Sequence, residues 1–475
     1  MGSQLTSSKA PWEAVSAEEQ LFVLITGANS GIGLSIGERL IDEFLSTRSL
    51  KSHLILIPTT RSKSKSLQTI RSLRSYAQRA AQTSAALRSR VGDSYRWEDT
   101  VARIHVLSLQ LDLCDLRGVY GFAQELVHRP VSNPEGLEGE YLRNVRIPRI
   151  DTAVFNAAYG GWSGVNFPLA IWVILTQGLV QSVTWPTFKM ALPTCILNER
   201  PEYGLPEKPL LGEVFTACVF GHYILAHQLL PLLSRRSESE APGRIVWSSS
   251  LEAVRKVFDT SDFQCFKGDG PYESVKRLTD VLSLTATLPS ASIYSNRFFT
   301  PDDPEEAREK PVRPRMYLTH PGVVASTLFP VPWFLVWAYE LALVISRWLG
   351  SPWHNVDSYS GSKSPAWIAL QEQSTLDELD AEKIKWGSSS NRHLQVEVKK
   401  TEVEGWGWEG KVEDATAIEQ DTALGVFKKT VGRKRGAVDV TKEDIVEFEE
   451  LGAETWKKME ELRDTWTPFA QGGSV

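Results

Sequence analysis

The sequence has few cysteines and no apolar run long enough to span a bilayer. Four cysteines occur in 475 residues, far apart and without metal-ligand spacing, at Cys114, Cys195, Cys218 and Cys265. They are expected to be reduced thiols in a cytosol-facing protein, not disulfides or zinc ligands. The first 20 residues, an N-terminal tail, hold no apolar stretch typical of a cleaved secretory signal.

The chain also lacks an excess of positive charge. Its formal net charge is −6 and its isoelectric point lies near 5.9. A nucleic-acid-binding protein is expected to present a basic face, so no nucleic-acid partner is predicted. Hydrophobic residues make up 42% of the chain, which is enough for a large buried core.

A glycine-rich segment, Leu21–Gly33, reads L-F-V-L-I-T-G-A-N-S-G-I-G. An apolar run ends in a turn, and a helix-period pattern follows, which predicts a strand, a phosphate-binding loop and a helix N-terminus. Gly27, Gly31 and Gly33 would turn the chain, admit a pyrophosphate and let the helix pack against the strand. The alternative is a glycine-rich turn that binds nothing.

Strand-like and helix-like segments alternate along the rest of the chain. This pattern predicts an α/β fold, a Rossmann-type doubly wound parallel sheet with helices on both faces. The strand-like runs are Leu21–Ile25, His53–Ile57, Arg103–Leu109, Asp151–Phe155, Arg244–Trp247 and Arg315–Thr319. The helix-like segments are Ile32–Leu45, Lys65–Arg88, Leu116–His128, Leu211–Leu233 and Tyr272–Thr285.

Acidic residues are absent between positions 54 and 82, where the second strand ends. A cofactor with a free ribose 2′-hydroxyl usually meets an acidic residue there, whereas a 2′-phosphate prefers an arginine. Arg61 and Lys65 therefore favour NADPH over NADH, the alternative being a solvated basic loop. After the third strand, Asp112 is expected to accept a hydrogen bond from the adenine amino group, and Asp115 is the better helix cap.

Tyr272 and Lys276 are spaced to lie on one face of a helix. A tyrosine with a pKa of about 10 is a poor proton shuttle near neutrality, and a nearby ammonium is expected to lower that pKa. Ser250, at the end of the fifth strand-like run, is expected to hold a substrate carbonyl oxygen beside the phenol. A second pair, Tyr359 and Lys363, is rejected because Pro365 opposes one helix carrying both.

These motifs occur in the order of the short-chain dehydrogenase/reductase family, which the chain resembles from about Leu21 to Trp386. The shared segments are Thr26–Gly33 (T-G-A-N-S-G-I-G), Asn156–Ala158 (N-A-A), Ser250, Tyr272 with Lys276, and His320–Thr327 (H-P-G-V-V-A-S-T). More narrowly, three segments resemble the fungal 3-keto-steroid reductases of ergosterol synthesis: Gly270–Asp280, Val219–Tyr223 and Phe263–Gln264.

The resemblance implies that NADPH delivers hydride to the C3 ketone of a sterol intermediate during C-4 demethylation, giving a 3β-hydroxyl. Tyr272 would donate the proton, Ser250 would position the carbonyl, and Lys276 would bind the nicotinamide ribose. The implied cofactor-binding residues are Gly27, Asn29, Ser30, Gly31, Ile32, Gly33, Thr60, Arg61, Lys65, Asp112, Asn156, Tyr272, Lys276, Val324 and Ser326.

One position departs from the family pattern. The family usually has an asparagine before Val219, where it helps hold a water in the proton relay, but this chain has Cys218. A thiol is a weak donor and acceptor. The relay is therefore expected to be slower or to use another group, unless neighbouring carbonyls still hold the water.

Two apolar segments favour a membrane surface as a partner. Trp333–Ser346 has only 14 residues and contains Glu340, so it predicts an interfacial or re-entrant helix within 332–350, the alternative being a core helix. Phe167–Val183 lies inside an insertion at 160–210. Both are expected to flank the substrate site, at the cytosolic face of the endoplasmic reticulum or on lipid droplets, near other C-4 demethylation enzymes.

The predicted division is a tail at 1–20, a catalytic domain at 21–387 and a charged extension at 388–475. The extension ends in an amphipathic run from Thr441 to Trp466 that would dock on the core or on a partner. Two other functions stay open. One is reduction of another lipophilic ketone, such as a steroid, retinoid or polyketide. The other is a non-catalytic scaffold that binds NADP.

Overall fold

The computed structural model describes residues 9–137, 142–192, 195–303, 311–326, 328–329, 331–412 and 432–473. Parts of some predictions lie outside these residues. They are positions 1–8 of the N-terminal tail, 193–194 of the insertion, Thr327 of the last motif, 138–141, 304–310 and 330 of the catalytic domain, and 413–431 and 474–475 of the C-terminal extension.

The central sheet is parallel except at one edge. Its order is β13-β12-β9-β8-β5-β1-β2-β3; β4 also pairs with β2, and only β13 is antiparallel to its neighbour. The strands are β1 Gln20–Ile25, β2 His53–Thr60, β3 Ile104–Val106, β4 Leu109–Gln110, β5 Thr152–Phe155, β6 Trp162–Val165, β7 Lys189–Ala191, β8 Arg244–Ser248, β9 Arg315–His320, β10 Val323–Val324, β11 His354–Val356, β12 Lys385–Ser390 and β13 Val396–Thr401.

Helices cover both faces of this sheet. The α-helices are α1 Gly31–Thr47, α2 Lys63–Thr83, α3 Ala85–Val91, α4 Trp97–Val101, α5 Leu116–His128, α6 Phe167–Gln177, α7 Leu179–Thr184, α8 Glu213–Phe215, α9 Gly221–Gln228, α10 Leu230–Leu233, α11 Pro271–Thr285, α12 Ser292–Phe298, α13 Val336–Trp348, α14 Ser358–Gly361, α15 Lys363–Leu370, α16 Gln373–Glu378 and α17 Lys442–Ala470. Thr216–Phe220 is a π-helical turn that joins α8 to α9.

Two hydrophobic cores lie on opposite sides of the sheet. One packs α1, α2 and α15 against it, and the other packs α5, α9, α11 and α17. Strands β1 and β2 are almost wholly buried, as expected for apolar strands covered by helices on both faces. The predicted fold class, a Rossmann-type doubly wound parallel sheet, is confirmed.

The sheet continues past the catalytic boundary that the sequence predicted. That boundary, after residue 387, falls inside β12, and β13 then pairs with β12 along its whole length. Neither strand was predicted from the sequence, because β12 reads K-W-G-S-S-S and has no apolar run. Its serines are buried nonetheless, and Ser388 donates a hydrogen bond to the Gly361 carbonyl at 2.7 Å.

The C-terminal helix docks on the core of the same chain. A capping box between Thr441 and Asp444 begins α17. Trp456 and Met459 are fully buried, and the Tyr223 hydroxyl donates to the Glu460 carboxylate at 2.7 Å. Of the two alternatives left by the sequence, the core rather than a partner receives this helix.

Candidate active site

The strand order reverses between β1 and β5, which opens a crevice at their carboxyl ends. A cavity of about 620 Å³ lies there. Twelve of the predicted cofactor-binding residues line it: Gly27, Asn29, Ser30, Gly31, Ile32, Gly33, Thr60, Arg61, Lys65, Asp112, Asn156 and Ser326. The cavity therefore joins the loop after β1 to the ends of β2 and β5, as a dinucleotide site requires.

The glycine loop is shaped by two close contacts. Gly27 has a φ of +65°, and a Cβ there would lie 2.9 Å from Ala157. A Cβ on Gly33 would lie 2.3 Å from the Gly27 carbonyl oxygen and 2.6 Å from Nδ2 of Asn156. A Cβ on Gly31 would meet no atom within 4 Å, so the loop is open where a pyrophosphate would approach.

Thr26 is the buried centre of the loop. Its Oγ1 accepts hydrogen bonds from the backbone N–H groups of Asn156 and Ala157 at 3.0 and 3.1 Å. His222 Nδ1 lies 3.1 Å from the Cys218 carbonyl, so it must donate, and Nε2 then accepts from the Thr26 hydroxyl at 2.8 Å. His222 lies in the Val219–Tyr223 segment that carries part of the family resemblance, but no role at the site was predicted for it.

Two cations line the cavity where β2 ends. Arg61 is exposed directly after β2, and Lys65 lies in the first turn of α2. Neither forms an ion pair within the described residues, so both are available to a phosphate. Asp112 accepts from the Cys114 N–H at 3.0 Å and faces the cavity, whereas Asp115 caps α5 through Gly118.

A second cavity, of about 140 Å³, adjoins the first one. Ser250, Tyr272, Val324 and Ser326 all line it. Aromatic and aliphatic side chains form the remaining wall: Trp162, Val183, Phe188, Leu328, Phe329 and Tyr339. This cavity suits an apolar substrate with one polar group.

Tyr272 opens α11, and the loop after β8 carries Ser250 to it. Burial and the nearby carboxylate of Glu252 raise the pKa of Tyr272. A hydrogen bond from Ser250 lowers this pKa, but by less than the other two raise it. The net pKa of Tyr272 lies well above its usual value, with burial as the largest cause. The phenol is therefore protonated at neutral pH.

Lys276 is buried one helical turn from Tyr272. Its Nζ donates to the Ser248 carbonyl at 2.6 Å and lies 5.5 Å from the centroid of the Tyr272 ring. Burial lowers the pKa of Lys276. The expectation that Lys276 brings the Tyr272 pKa below its usual value is wrong for this structure, because burial of the phenol outweighs any stabilisation of the phenolate.

Cys218 lies in the π-helical turn, near the ammonium of Lys276. Its thiol lies 3.4 Å from the Tyr159 carbonyl and 3.3 Å from the Tyr159 N–H. Burial raises the pKa of this thiol. A slower or rerouted proton relay through this position stays a prediction.

The second tyrosine–lysine pair lies elsewhere. Tyr359 belongs to α14 and donates to Asp42 at 2.5 Å, whereas Lys363 begins α15 and pairs with Glu43 at 2.7 Å. Both acidic partners are on α1. Neither Tyr359 nor Lys363 lines the two cavities.

Two helices beside the substrate cavity expose large apolar side chains. On α6, the side chains of Ile171, Trp172 and Leu175 are 61–77% exposed. At α13 the exposed residues are Trp333, Phe334, Trp337, Leu341 and Trp348. This exposure argues against the alternative of a buried core helix at 332–350. Across the described ranges, every helix is too short or too polar to traverse a bilayer.

The described residues contain no group of three or more potential metal ligands. The residues that converge here fit a dinucleotide: an open glycine loop, two unpaired cations and the carboxylate of Asp112. They also fit a carbonyl substrate, because Ser250 and Tyr272 meet at the end of an apolar cavity.

Comparisons with known proteins identify the family of the chain. The chain is 80% identical over 466 residues to the 3-keto-steroid reductase of Gibberella zeae, covering 98% of each chain. It is 39% identical over 459 residues to that of Aspergillus fumigatus, covering 94% of each. No family model matches. Salutaridine reductase from Papaver somniferum, a solved structure, aligns over 74% of this chain and 96% of its own, with 16% identity and a TM-score of 0.38, too distant to bear on function. Because two curated relatives are 80% and 39% identical to it along nearly their whole length, the chain belongs to the family of fungal 3-keto-steroid reductases.

Proposed function

We propose that the protein uses NADPH to reduce the C3 ketone of a sterol intermediate to a 3β-hydroxyl during C-4 demethylation in ergosterol synthesis. The observation that carries this proposal is the 80% identity, along 98% of both chains, to a curated 3-keto-steroid reductase. The apolar cavity that ends at Ser250 and Tyr272 supports it independently of that name.

The chain's own residues supply proton transfer and positioning. Tyr272 donates its proton to the carbonyl oxygen as negative charge develops there, and Ser250 donates a hydrogen bond to the same oxygen. The high pKa of Tyr272 keeps the phenol in its acid form at neutral pH. Bound NADPH supplies the hydride. Lys276 would hold the nicotinamide ribose; its buried ammonium donates to the Ser248 carbonyl, and its side chain lines neither cavity.

Arg61 and Lys65 support NADPH rather than NADH. Both cations face the cavity at the end of β2 and are unpaired among the described side chains, as a 2′-phosphate site requires. The test measures kcat/KM for both cofactors with the wild type and with Arg61→Asp. The wild type is expected to prefer NADPH, and the variant to lose at least about tenfold of that preference. If the wild type and Arg61→Asp preferred NADPH over NADH to the same degree, the assignment of a 2′-phosphate site to Arg61 would be contradicted.

A membrane surface is the proposed source of the sterol, at the cytosolic face of the endoplasmic reticulum or on lipid droplets, alongside other C-4 demethylation enzymes. Exposed tryptophans on α6 and α13 support an interfacial contact beside the substrate cavity. In a liposome flotation assay, the wild type is expected to float. Trp172→Ser with Trp337→Ser is expected to lower the bound fraction, and a wild type that stays in solution would remove this part of the proposal.

The substrate is tested by a panel of ketones. Purified protein is mixed with NADPH and with a 3-ketosterol, a retinal, a 17-ketosteroid or a polyketide. Preferred turnover of the 3-ketosterol supports the proposal. Turnover of another ketone alone makes the protein a different lipophilic-ketone reductase, and NADPH binding without any turnover makes it a scaffold.

A further inference from the structure

Lys189, in the insertion, is a buried cation beside the catalytic phenol. Its side chain is only 3% exposed. Its ammonium contacts the Glu252 carboxylate and lies 2.5 Å from the Glu273 carboxylate. Glu252 follows Ser250 by two residues, and Glu273 is adjacent to Tyr272. One ammonium therefore bridges the two segments that carry the catalytic hydroxyl groups.

The same ammonium contacts two aromatic rings. It lies 3.8 Å from the centroid of the Trp162 ring and 5.5 Å from that of Tyr272. The Trp162 and Tyr272 rings are 4.7 Å apart at an interplanar angle of 60°. Trp162 and Lys189 come from β6 and β7, which pair as an antiparallel hairpin. The hairpin thus brings a ring and a cation to the phenol together.

Charged and titratable groups face Tyr272 from each element packed around it. Lys189 and Lys276 are equally close to the ring: the Nζ of each lies 5.5 Å from the Tyr272 ring centroid. The facing groups are Glu273 and Lys276 from α11, Glu252 from the loop after β8, Cys218 from the π-helical turn, Lys189 from β7, and Tyr339 from α13.

We propose that Lys189 is a positioning residue for the reaction: it holds Trp162 against the Tyr272 ring and balances the charges of Glu252 and Glu273. The proposal rests on the reductase function proposed above. Without this ammonium, the two carboxylates beside the phenol lose the cation that contacts them both. The pKa of Glu252 is already raised by burial, and Lys189 opposes that rise.

The kinetic test measures kcat, KM and the pH profile of 3β-hydroxysterol oxidation with NADP, since oxidation needs the ionised phenol. Lys189→Met is expected to lower kcat about tenfold. It is also expected to move the rising limb of the pH–rate profile to a pH about one unit higher. Lys189→Arg, which keeps the charge, should restore kcat to within about threefold. Glu252→Gln should move the limb to lower pH.

Lys256→Met is the matched control, because Lys256 is an exposed lysine near the same hairpin and makes no ion pair among the described residues. It should behave as the wild type. The KM for NADP should stay within about twofold in all variants, since Lys189 does not line the cofactor cavity. The proposal would be overturned if Lys189→Met had the same kcat as Lys256→Met and the same rising limb in its pH–rate profile.

A readout that needs no turnover separates this proposal from the reductase function. Protein labelled with ¹³C at tyrosine Cζ gives a Tyr272 resonance, which is identified by its loss in Tyr272→Phe. Lys189→Met is expected to shift this resonance, because Trp162 and the ammonium both leave the ring, and Lys189→Arg is expected to shift it less. An unmoved resonance in Lys189→Met refutes the positioning role even if the wild type reduces no ketone.

Discussion

Acid is expected to destabilise this fold because four buried histidines resist protonation. They are His105, His222, His320 and His354. Burial lowers the pKa of three of them to about 3, and that of His320 well below its usual value. In the unfolded chain a histidine has a pKa of about 6.5. Between these values the unfolded chain binds more protons, so the free energy of unfolding falls as pH falls.

The size of the effect follows from the unfolded pKa alone, because the folded values lie far below the pH range considered. From about pH 7 to about pH 5.5, each histidine lowers the free energy of unfolding by about 1.2 kcal/mol, and the four together by about 5 kcal/mol. Glu252 opposes this loss, because burial raises its folded pKa. A comparison of single variants cancels that opposing contribution.

The variant that isolates one histidine is His222→Gln, which keeps a group able to accept from Thr26. Urea unfolding at about pH 7 and about pH 5.5 gives the stability lost on acidification. His222→Gln should lose about 1.2 kcal/mol less than the wild type. His393→Gln, at an exposed histidine, should lose as much as the wild type. Equal losses in all three proteins would refute the reasoning.

Two further substitutions test the packing around the site. Gly33→Ala adds a Cβ 2.3 Å from the Gly27 carbonyl oxygen, so the Kd for NADPH, measured by fluorescence titration, should rise at least about tenfold; an unchanged Kd would contradict the assigned loop. Lys385→Met removes the ammonium that lies 2.7 Å from the buried Asp280 carboxylate and 2.7 Å from the Ser250 carbonyl. This substitution should lower the free energy of unfolding, measured with urea, by about 3–5 kcal/mol. A change near zero would show that the Lys385–Asp280 pair does not stabilise the fold.

The sequence predicted the parts of the fold that depend on local pattern. Runs such as Leu21–Ile25 are apolar because both faces of a central parallel strand are covered, so they are recognisable without tertiary information. Strand β12 is recognisable only in the folded chain, because its serines are buried through hydrogen bonds to segments far away in sequence. Strand β13 depends on β12 for its pairing.

The site was predictable where one motif supplies both the residue and its neighbours. Gly27, Gly31 and Gly33 lie in one loop, and Tyr272 with Lys276 lies on one helix. The charge environment of Tyr272 was not predictable in this way. Glu252 and Lys189 reach it from a loop and from the insertion, and neither segment carries a pattern that indicates such a contact.

Tyr272→Phe removes the acid that we propose gives its proton to the substrate carbonyl. The measurement is NADPH oxidation with a 3-ketosterol at neutral pH, together with NADPH binding by each protein. We expect kcat to fall by about 10²–10⁴ while NADPH still binds, because only the acid is lost. A Tyr272→Phe protein that reduces the sterol at the wild-type rate would contradict this proton transfer.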